Sequence, residues 1–265
     1  MGNRDRSGDG RRPFWLTSVP QHFDIARLRP RHLPKGQRFE SKGDAYALSE
    51  RNEAALRRTD GTRNRQLADA LRDCRNFDVV CGLPSCPICA GYYRRWLTWQ
   101  SLRMASKVGD GAKVVTLYLD EFPAGELRKA DIAKLHTALR ARLRRCGFSG
   151  SMIIGGTEVR FDTAGGSWLL HVHLLVANVT DDAITNLLKL NKRIARAVQV
   201  QNLADPVQQL SYLQKFVTFH RPGQQTSKRR ARAYPLPQGP LLELLGWFSK
   251  HQLGWSERPS SVDPE

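Results

Sequence analysis

The strongest constraint on the fold is a pair of β-type segments joined by a glycine-containing turn. SMIIGGTEVRFD (151–162) and WLLHVHLLVAN (168–178) are rich in apolar and β-branched residues, and TAGGS lies between them. Such segments around a Gly-Gly turn predict an antiparallel hairpin. If the chain turns within TAGGS, residues whose numbers sum to about 329 face each other, which places Glu158 opposite His171.

Two histidines of the second segment share one side of the predicted strand. Successive side chains alternate between the faces, so His171 and His173 point the same way. Together with Glu158 they supply two imidazoles and a carboxylate, which suit a divalent cation with positions left open for substrate. The alternative is that both histidines are ordinary core or surface residues and that Glu158 is an edge carboxylate.

A tyrosine and a lysine follow on the predicted helix PVQQLSYLQKFVTF (206–219). Tyr212 and Lys215 are three residues apart and so share a helix face. A phenol has a pKa near 10, so it needs a nearby positive charge to act as a nucleophile. A tyrosine and a cation near a metal are the groups required for attack on a phosphodiester, which makes Tyr212 and Lys215 candidate catalytic residues.

Four of the five cysteines lie within sixteen residues, in CRNFDVVCGLPSCPIC. The group Cys74, Cys81, Cys86 and Cys89 has the spacing of a structural zinc site with four sulfur ligands. Alternatives are a redox-active CxxC pair, free buried cysteines, or a histidine in place of Cys74. A closed four-sulfur site has no position at which to activate water.

The order strand, helix, hairpin, helix, helix predicts an α+β fold, with an antiparallel sheet flanked by helices on one or both faces. Strand KVVTLYLD and helix ADIAKLHTALRARLRR precede the hairpin, and DDAITNLLKLNKRIARAVQV predicts a single helix after it. Four divisions are predicted. They are a basic, partly disordered arm (1–65), a cysteine-cluster zinc element with a helix (66–105), a catalytic core (106–220), and a basic loop and tail (221–265).

The charge of the chain indicates a polyanionic partner. Lys and Arg number 42 against 25 Asp and Glu, a formal net charge of +17. Nucleic acid fits this excess best. No segment has the roughly 18 uninterrupted apolar residues of a membrane span, and the start lacks a signal-peptide pattern, so we expect a cytoplasmic protein with no membrane partner.

Several basic and aromatic residues are candidates for phosphate contact and base stacking. Each is also explained by a solvated face or by core packing. They are Arg140, Arg144, Arg145, Lys228, Arg229 and Arg230, with the aromatics Tyr92, Tyr93, Trp96 and Trp99.

The combined motifs resemble the HUH single-strand endonucleases, and among them the rolling-circle plasmid replication initiators. HVHLL is similar to the histidine–hydrophobic–histidine motif, Cys86-Pro-Ile-Cys89 to an upstream CPxC cluster, VVTLYLD to a TLT strand, and YLQKF to a YxxKY helix. Tyr118, Arg160 and Phe216 depart from the family pattern. The resemblance covers about residues 74 to 219.

The resemblance implies an HUH-like fold and a role for each matching residue. His171, His173 and Glu158 would bind Mg²⁺ or Mn²⁺. Tyr212 would attack single-stranded origin DNA, giving a 5′-phosphotyrosine link and a free 3′-OH, and Lys215 would assist.

The same resemblance implies a setting for the reaction. It points to a bacterial, plasmid- or mobile-element-encoded protein that works with a host polymerase and helicase. With one tyrosine in the motif, termination would need water, a second subunit or another group.

Three other functions remain open. An HUH-type transposase shares the site and the cysteine cluster. Conjugative relaxases fit less well, because they carry a third histidine and an early tyrosine. A non-catalytic, zinc-containing DNA-binding protein explains the charge and the cysteines but leaves His171, His173 and Tyr212 without a role.

Overall fold

The computed structural model describes most of the chain from residue 41 onward. The described residues are 41–76, 81–108, 111–190, 198–213, 219–220, 234–250 and 254–257.

The described residues form seven α-helices, one 3₁₀ turn and seven strands. The α-helices are α1 (Lys42–Arg57), α2 (Thr62–Asn76), α3 (Pro87–Val108), α4 (Ile132–Arg145), α5 (Asp181–Leu190), α6 (Pro206–Leu213) and α7 (Gln238–Phe248), and Leu127–Lys129 forms a 3₁₀ turn. The strands are β1 (Lys113–Pro123), β2 (Met152–Asp162), β3 (Ser167–Ala177), β4 (Val198–Asn202), β5 (Phe219–His220), β6 (Tyr234–Pro235) and β7 (Gly254–Glu257).

One antiparallel sheet organises the fold. Its strand order is β4-β1-β3-β2-β7, and every neighbouring pair is antiparallel. Strands β5 and β6 pair separately. With helices packed against the sheet, this confirms the predicted α+β class and the antiparallel sheet flanked by helices.

The predicted hairpin is present in the predicted register. Glu158 pairs with His171 across β2 and β3, and Gly156 pairs with His173. Gly155 is required beside this pair, because a Cβ at that position would collide with the carbonyl oxygen of His173. The tight pairing therefore fixes the side of the sheet on which Glu158 and the histidines lie.

Strand β1 adds to the same face. Thr116 pairs with His173 and Tyr118 with His171, after which a bulge shifts the register. We call the side of the sheet that bears Thr116, Tyr118, Glu158, His171 and His173 the histidine face.

The two faces of the sheet are covered by different helices. On the side away from the histidines, alternate residues of β1 and β3 pack against α4 and α5: Val115, Leu117, Val172 and Leu174 contact Leu139, Leu143, Ala183 and Leu187. The histidine face continues into a cluster with α3 and α6, formed by Tyr93, Leu97, Val114, Ile154, Leu175 and Leu210. The chain therefore holds α3 and α6 on the same side as the histidines.

One sequence prediction needs correction. The segment 181–200 is not one helix, because its last three residues, 198–200, belong to strand β4, which pairs with β1. VQVQN alternates apolar and polar residues, the period of a strand rather than a helix.

The range 1–65, predicted as a basic and partly disordered arm, includes a helix. Its part from residue 42 onward contains helix α1, which begins with a capping box between Ser41 and Asp44 and buries Leu56. Residues 1 to 40 lie outside the described residues. None of the described helices is both long enough and apolar enough to cross a membrane.

Candidate nuclease site and cysteine cluster

His173 is held on both ring nitrogens. Its Nε2 lies 2.6 Å from Oε2 of Glu158, and its Nδ1 lies 2.9 Å from Oγ1 of Thr116. His173 is 6% exposed, so these partners fix a buried ring. A hydrogen bond to one nitrogen of an imidazole sets its tautomer and orients the other nitrogen for a metal or a proton. Thr116 can therefore orient His173 while Nε2 faces Glu158.

His171 lies beside the same carboxylate and against an aromatic ring. The rings of His171 and Tyr118 meet edge to face, with their centroids 5.7 Å apart. Burial lowers the pKa of His171; Glu158 opposes this shift, and His173 and Arg160 add to it. A neutral imidazole is the form that binds a cation, so burial keeps His171 in the state that a ligand needs.

The three predicted metal ligands are neighbours, but their ligand atoms do not form one compact group. Among the described residues, the ligand atoms of Glu158, His171 and His173 do not all lie within 4.8 Å of one another. The hydrogen bond between Glu158 and His173 links two of the three directly. The predicted register is confirmed, and binding of a divalent cation at this position stays a prediction.

Helix α6 brings the predicted nucleophile to the side of the sheet that holds the histidines. Leu210 of α6 packs with Leu175, which lies on the histidine face of β3, and Tyr212 follows two residues later. The side chain of Tyr212 lies outside the described part of the structure, as do Lys215, Lys228, Arg229 and Arg230. The structure therefore places the helix of Tyr212 on the predicted face and leaves the catalytic roles of Tyr212 and Lys215 as predictions.

A buried arginine anchors the backbone next to Tyr212. Arg94 of α3 donates to the carbonyl oxygen of Ser211 through Nε at 3.1 Å and through Nη2 at 2.9 Å. Arg94 is 6% exposed and Ser211 is 4% exposed. Charge-assisted bonds in such a setting are among the stronger hydrogen bonds in proteins. Helix α3 thus fixes the position of α6 one residue before Tyr212.

The four cysteines form the clearest metal-binding geometry in the described residues. Their Sγ atoms all lie within 4.8 Å of one another, and three of the pairs are 3.6 Å apart: Cys74–Cys89, Cys81–Cys89 and Cys74–Cys86. Zinc–sulfur bonds of 2.3 Å in a tetrahedron give sulfur separations of about 3.8 Å, whereas a disulfide needs about 2.05 Å. The group, with Cys74 included, could hold a metal ion such as zinc.

The electrostatics of these thiols fit a site that needs a cation. Hydrogen bonding, first from Cys81, lowers the pKa of Cys74, while hydrogen bonds with Cys74 raise the pKa of Cys86 and of Cys89. Four adjacent thiols cannot all ionise without a positive charge, and a bound zinc ion supplies that charge.

The cysteines connect two parts of the chain. Cys74 is on α2, Cys81 is in the following loop, and Cys86 and Cys89 lie at the start of α3. Because α3 also carries Arg94, a metal in this cluster would hold the N-terminal end of the helix that supports α6.

The arginines predicted on α4 lie away from the histidines. Arg140, Arg144 and Arg145 belong to a helix whose apolar side packs against the opposite face of the sheet. Arg144 and Arg145 are exposed there. Their proposed contact with DNA stays a prediction, but the structure does not bring them together with His171 and His173.

Sequence reasoning did not identify the roles of Thr116 and Arg94. Thr116 has a sequence signal, because it is a polar residue in an apolar strand. Its pairing with His173 nevertheless depends on how β1 joins the hairpin, which the sequence of the strand does not show. Arg94 had no local signal, since its partner, Ser211, is 117 residues away in sequence. Comparison of the chain with protein-family models, curated proteins and solved structures finds no significant match.

Proposed function

We propose that this chain is a metal-dependent endonuclease of the HUH type that nicks single-stranded DNA through Tyr212, and that it acts as a rolling-circle replication initiator. The observation that carries the proposal is the register of the sheet. Glu158, His171 and His173 are neighbours on one face, and the helix of Tyr212 packs on that same face. The motif order along the chain and the net charge of +17 support the same conclusion.

The proposed reaction exchanges one phosphate ester for another. The hydroxyl of Tyr212 loses its proton to solvent or a nearby base, and its oxygen forms a bond to the scissile phosphorus. The bond from phosphorus to the 3′ oxygen breaks, and that oxygen takes up a proton to leave as a free 3′-OH. The product is a 5′-phosphotyrosine, and the ester bond is conserved for later transfer.

His171, His173 and Glu158 are the residues that would hold Mg²⁺ or Mn²⁺. A bound divalent cation would neutralise and polarise the scissile phosphate. Thr116 would keep the ring of His173 oriented, and burial would keep His171 neutral. Lys215 would stabilise the phenolate of Tyr212.

Tyr118 is close to the histidines but is poorly suited to attack. Burial, with Glu121 and then Asp120, raises the pKa of Tyr118 to about 12, and its hydroxyl donates to Glu121 at 3.2 Å. A phenol with a raised pKa that is bonded to a carboxylate is harder to ionise. This favours Tyr212 over Tyr118 as the nucleophile.

A covalent-adduct assay tests the proposal. The protein is incubated with single-stranded origin DNA and Mn²⁺ and resolved on a denaturing gel. We expect an adduct that is lost in Tyr212→Phe and on chelation with EDTA, while Tyr118→Phe and Tyr234→Phe retain it. An adduct that persists in Tyr212→Phe would move the nucleophile elsewhere. Binding without any adduct would instead support a non-catalytic, metal-stabilised DNA-binding protein.

A further inference from the structure

The outward side of helix α3 carries a row of aromatic and basic residues. Tyr92, Arg95, Trp99 and Arg103 recur at intervals of three and four residues, so they lie along one side of the helix. Tyr92 and Arg103 are exposed, and Arg95 and Trp99 are half-buried. We call these four residues the outer stripe. The opposite side of α3 is buried and includes Tyr93 and Leu97, which pack onto the sheet.

The outer stripe combines two chemistries that suit single-stranded nucleic acid. Tyr92 is 37% exposed, and the guanidinium of Arg103 lies 4.7 Å from the ring centroid of Trp99. An arginine stacked on a ring keeps its edge N–H groups available for a phosphate, while an exposed aromatic face can stack on a base of any sequence. A row of this kind therefore offers stacking and charge together.

The charge of α3 favours a polyanion over another protein. The 22 residues of the helix include four basic residues and no Asp or Glu. Arg94 is buried, and the other three basic residues are at least partly exposed. The stripe runs over about 16 Å of helix at 1.5 Å per residue. Such a length of positive charge with interleaved aromatics matches a strand whose phosphates and bases alternate.

Helix α3 also connects the outer stripe to the candidate nuclease site. Tyr93 and Arg94 directly follow Tyr92, and they contact α6, the helix of Tyr212, through the cluster around Leu210 and through the carbonyl of Ser211. We propose that the outer stripe is a binding track for single-stranded DNA that leads to this site, and that it binds the strand without sequence preference. This inference rests on the proposed function, because it takes single-stranded DNA as the substrate.

The test compares the outer stripe with the arginines of α4. Binding of a fluorescein-labelled oligothymidylate to the full chain is measured by fluorescence anisotropy without divalent cation, so that no cleavage occurs. We expect Trp99→Ala to raise the Kd about tenfold, Arg103→Ala to raise it severalfold, and Trp99→Phe to retain most of the affinity. The matched control Arg144→Ala, on the opposite face of the sheet, should change the Kd by less than about twofold.

Three results would overturn the track. They are wild-type affinity in Trp99→Ala and Arg103→Ala, an equal loss of affinity in Arg144→Ala, and no oligothymidylate binding by the wild-type chain. Circular dichroism of each variant checks that it is folded, and Trp99→Phe separates loss of stacking from loss of fold.

The adduct assay keeps this inference separate from the proposed function. Weakened binding in the stripe variants, with no adduct from the wild-type chain, would support the DNA track and contradict the proposed nuclease function. An adduct from the wild-type chain, with an unchanged Kd in the stripe variants, would support the nuclease function and contradict the DNA track.

Discussion

At the scale of single residues, the candidate site depends on polar side chains that the sheet holds in fixed orientations. His173 is fixed between Glu158 and Thr116, and His171 lies against Tyr118. These contacts reduce the conformational freedom of the site before any substrate binds. Such preorganisation is what positions a reacting group in catalysis.

Arg94 should act as a positioning residue for Tyr212. Replacing Arg94 by Lys retains the charge but loses the pair of N–H groups that converge on the carbonyl oxygen of Ser211, since a lysine has no planar fork. We expect the rate of adduct formation to fall about tenfold, with the Kd for single-stranded DNA unchanged.

Arg142→Lys is the control for this change, because Arg142 is a half-buried arginine on α4, across the sheet. An adduct rate in Arg94→Lys within about twofold of wild type would contradict the positioning role. A parallel loss of DNA affinity would also contradict it.

His136 should make the stability of the fold depend on pH. Its Nε2 lies 2.8 Å from Oγ1 of Thr157 on the side of the sheet away from the other histidines, and burial, with Arg140, lowers its pKa from 6.5 to about 4. Between these values the unfolded chain binds a proton that the folded chain rejects. The free energy of unfolding should therefore fall as the pH drops from 6.5 towards 4, by at most about 3 kcal/mol from this group.

Urea unfolding across this pH range, with zinc held constant, measures the effect. His136→Gln should lose less stability than wild type on acidification, because glutamine does not titrate. Identical pH dependence in the two proteins would show that His136 is not the group responsible. His171→Gln serves as the comparison, because the pKa of half-buried His171 is also lowered by burial.

At the scale of secondary-structure elements, the cysteine cluster joins α2 to the start of α3. Three of its members are almost fully buried and belong to a core cluster that also includes Leu56, Leu71 and Leu127. Metal binding there would tie α2 to the start of α3, which meet in this cluster through the sulfur contact of Cys74 with Cys89. Since the ligands are unlinked in the unfolded chain, metal binding would add directly to folding stability.

We predict one zinc ion per chain, held by Cys74, Cys81, Cys86 and Cys89. Cys89→Ser should lose the zinc and lower the Tm by about 10 °C or more, and chelation of the wild-type protein should have the same effect. Cys146→Ala is the control, because Cys146 is buried in a different core cluster and lies outside the group of four cysteines. Elemental analysis and thermal unfolding measure both quantities, and zinc-free wild-type protein of unchanged Tm would contradict the prediction.

The elements also show which parts of the fold the sequence could predict. Period-two patterns and the glycine turn determine the hairpin and its register, since a slip by one residue would reverse every side chain. Strand β4 was missed because VQVQN follows a long helical pattern, and its pairing with β1 is a non-local contact. Helix α1 was missed because its polar surface outweighs the few apolar residues that it buries.

The candidate site was predictable only where its residues are local in sequence. The spacing of His171 and His173, and the turn that sets Glu158 against them, lie within one hairpin. Thr116 and Arg94 act through partners far along the chain, and no local pattern reveals such pairs. The arginines of α4 have a conspicuous local pattern but do not belong to the candidate site, because they lie across the sheet from the histidines.

At the scale of the whole molecule, the two faces of the sheet differ. One face packs against helices of the core, and the histidine face carries the residues of the candidate site. Helices α4 and α5 fill the first, while α3 and α6 cover one end of the histidine face. The cysteine cluster, Arg94 and the outer stripe all lie on or next to α3. This helix therefore connects the cysteine cluster, the helix of the candidate nucleophile and the proposed DNA track.

The central claim is that Tyr212 becomes covalently linked to DNA in a reaction that requires a divalent cation. The most direct measurement is tandem mass spectrometry of the nucleotide-linked peptide, after incubation of the wild-type chain with single-stranded origin DNA and Mn²⁺. We expect a single linked peptide whose modified residue is Tyr212, and none when EDTA is present. Linkage at Tyr118 or Tyr234, or linkage that persists with EDTA, would contradict it.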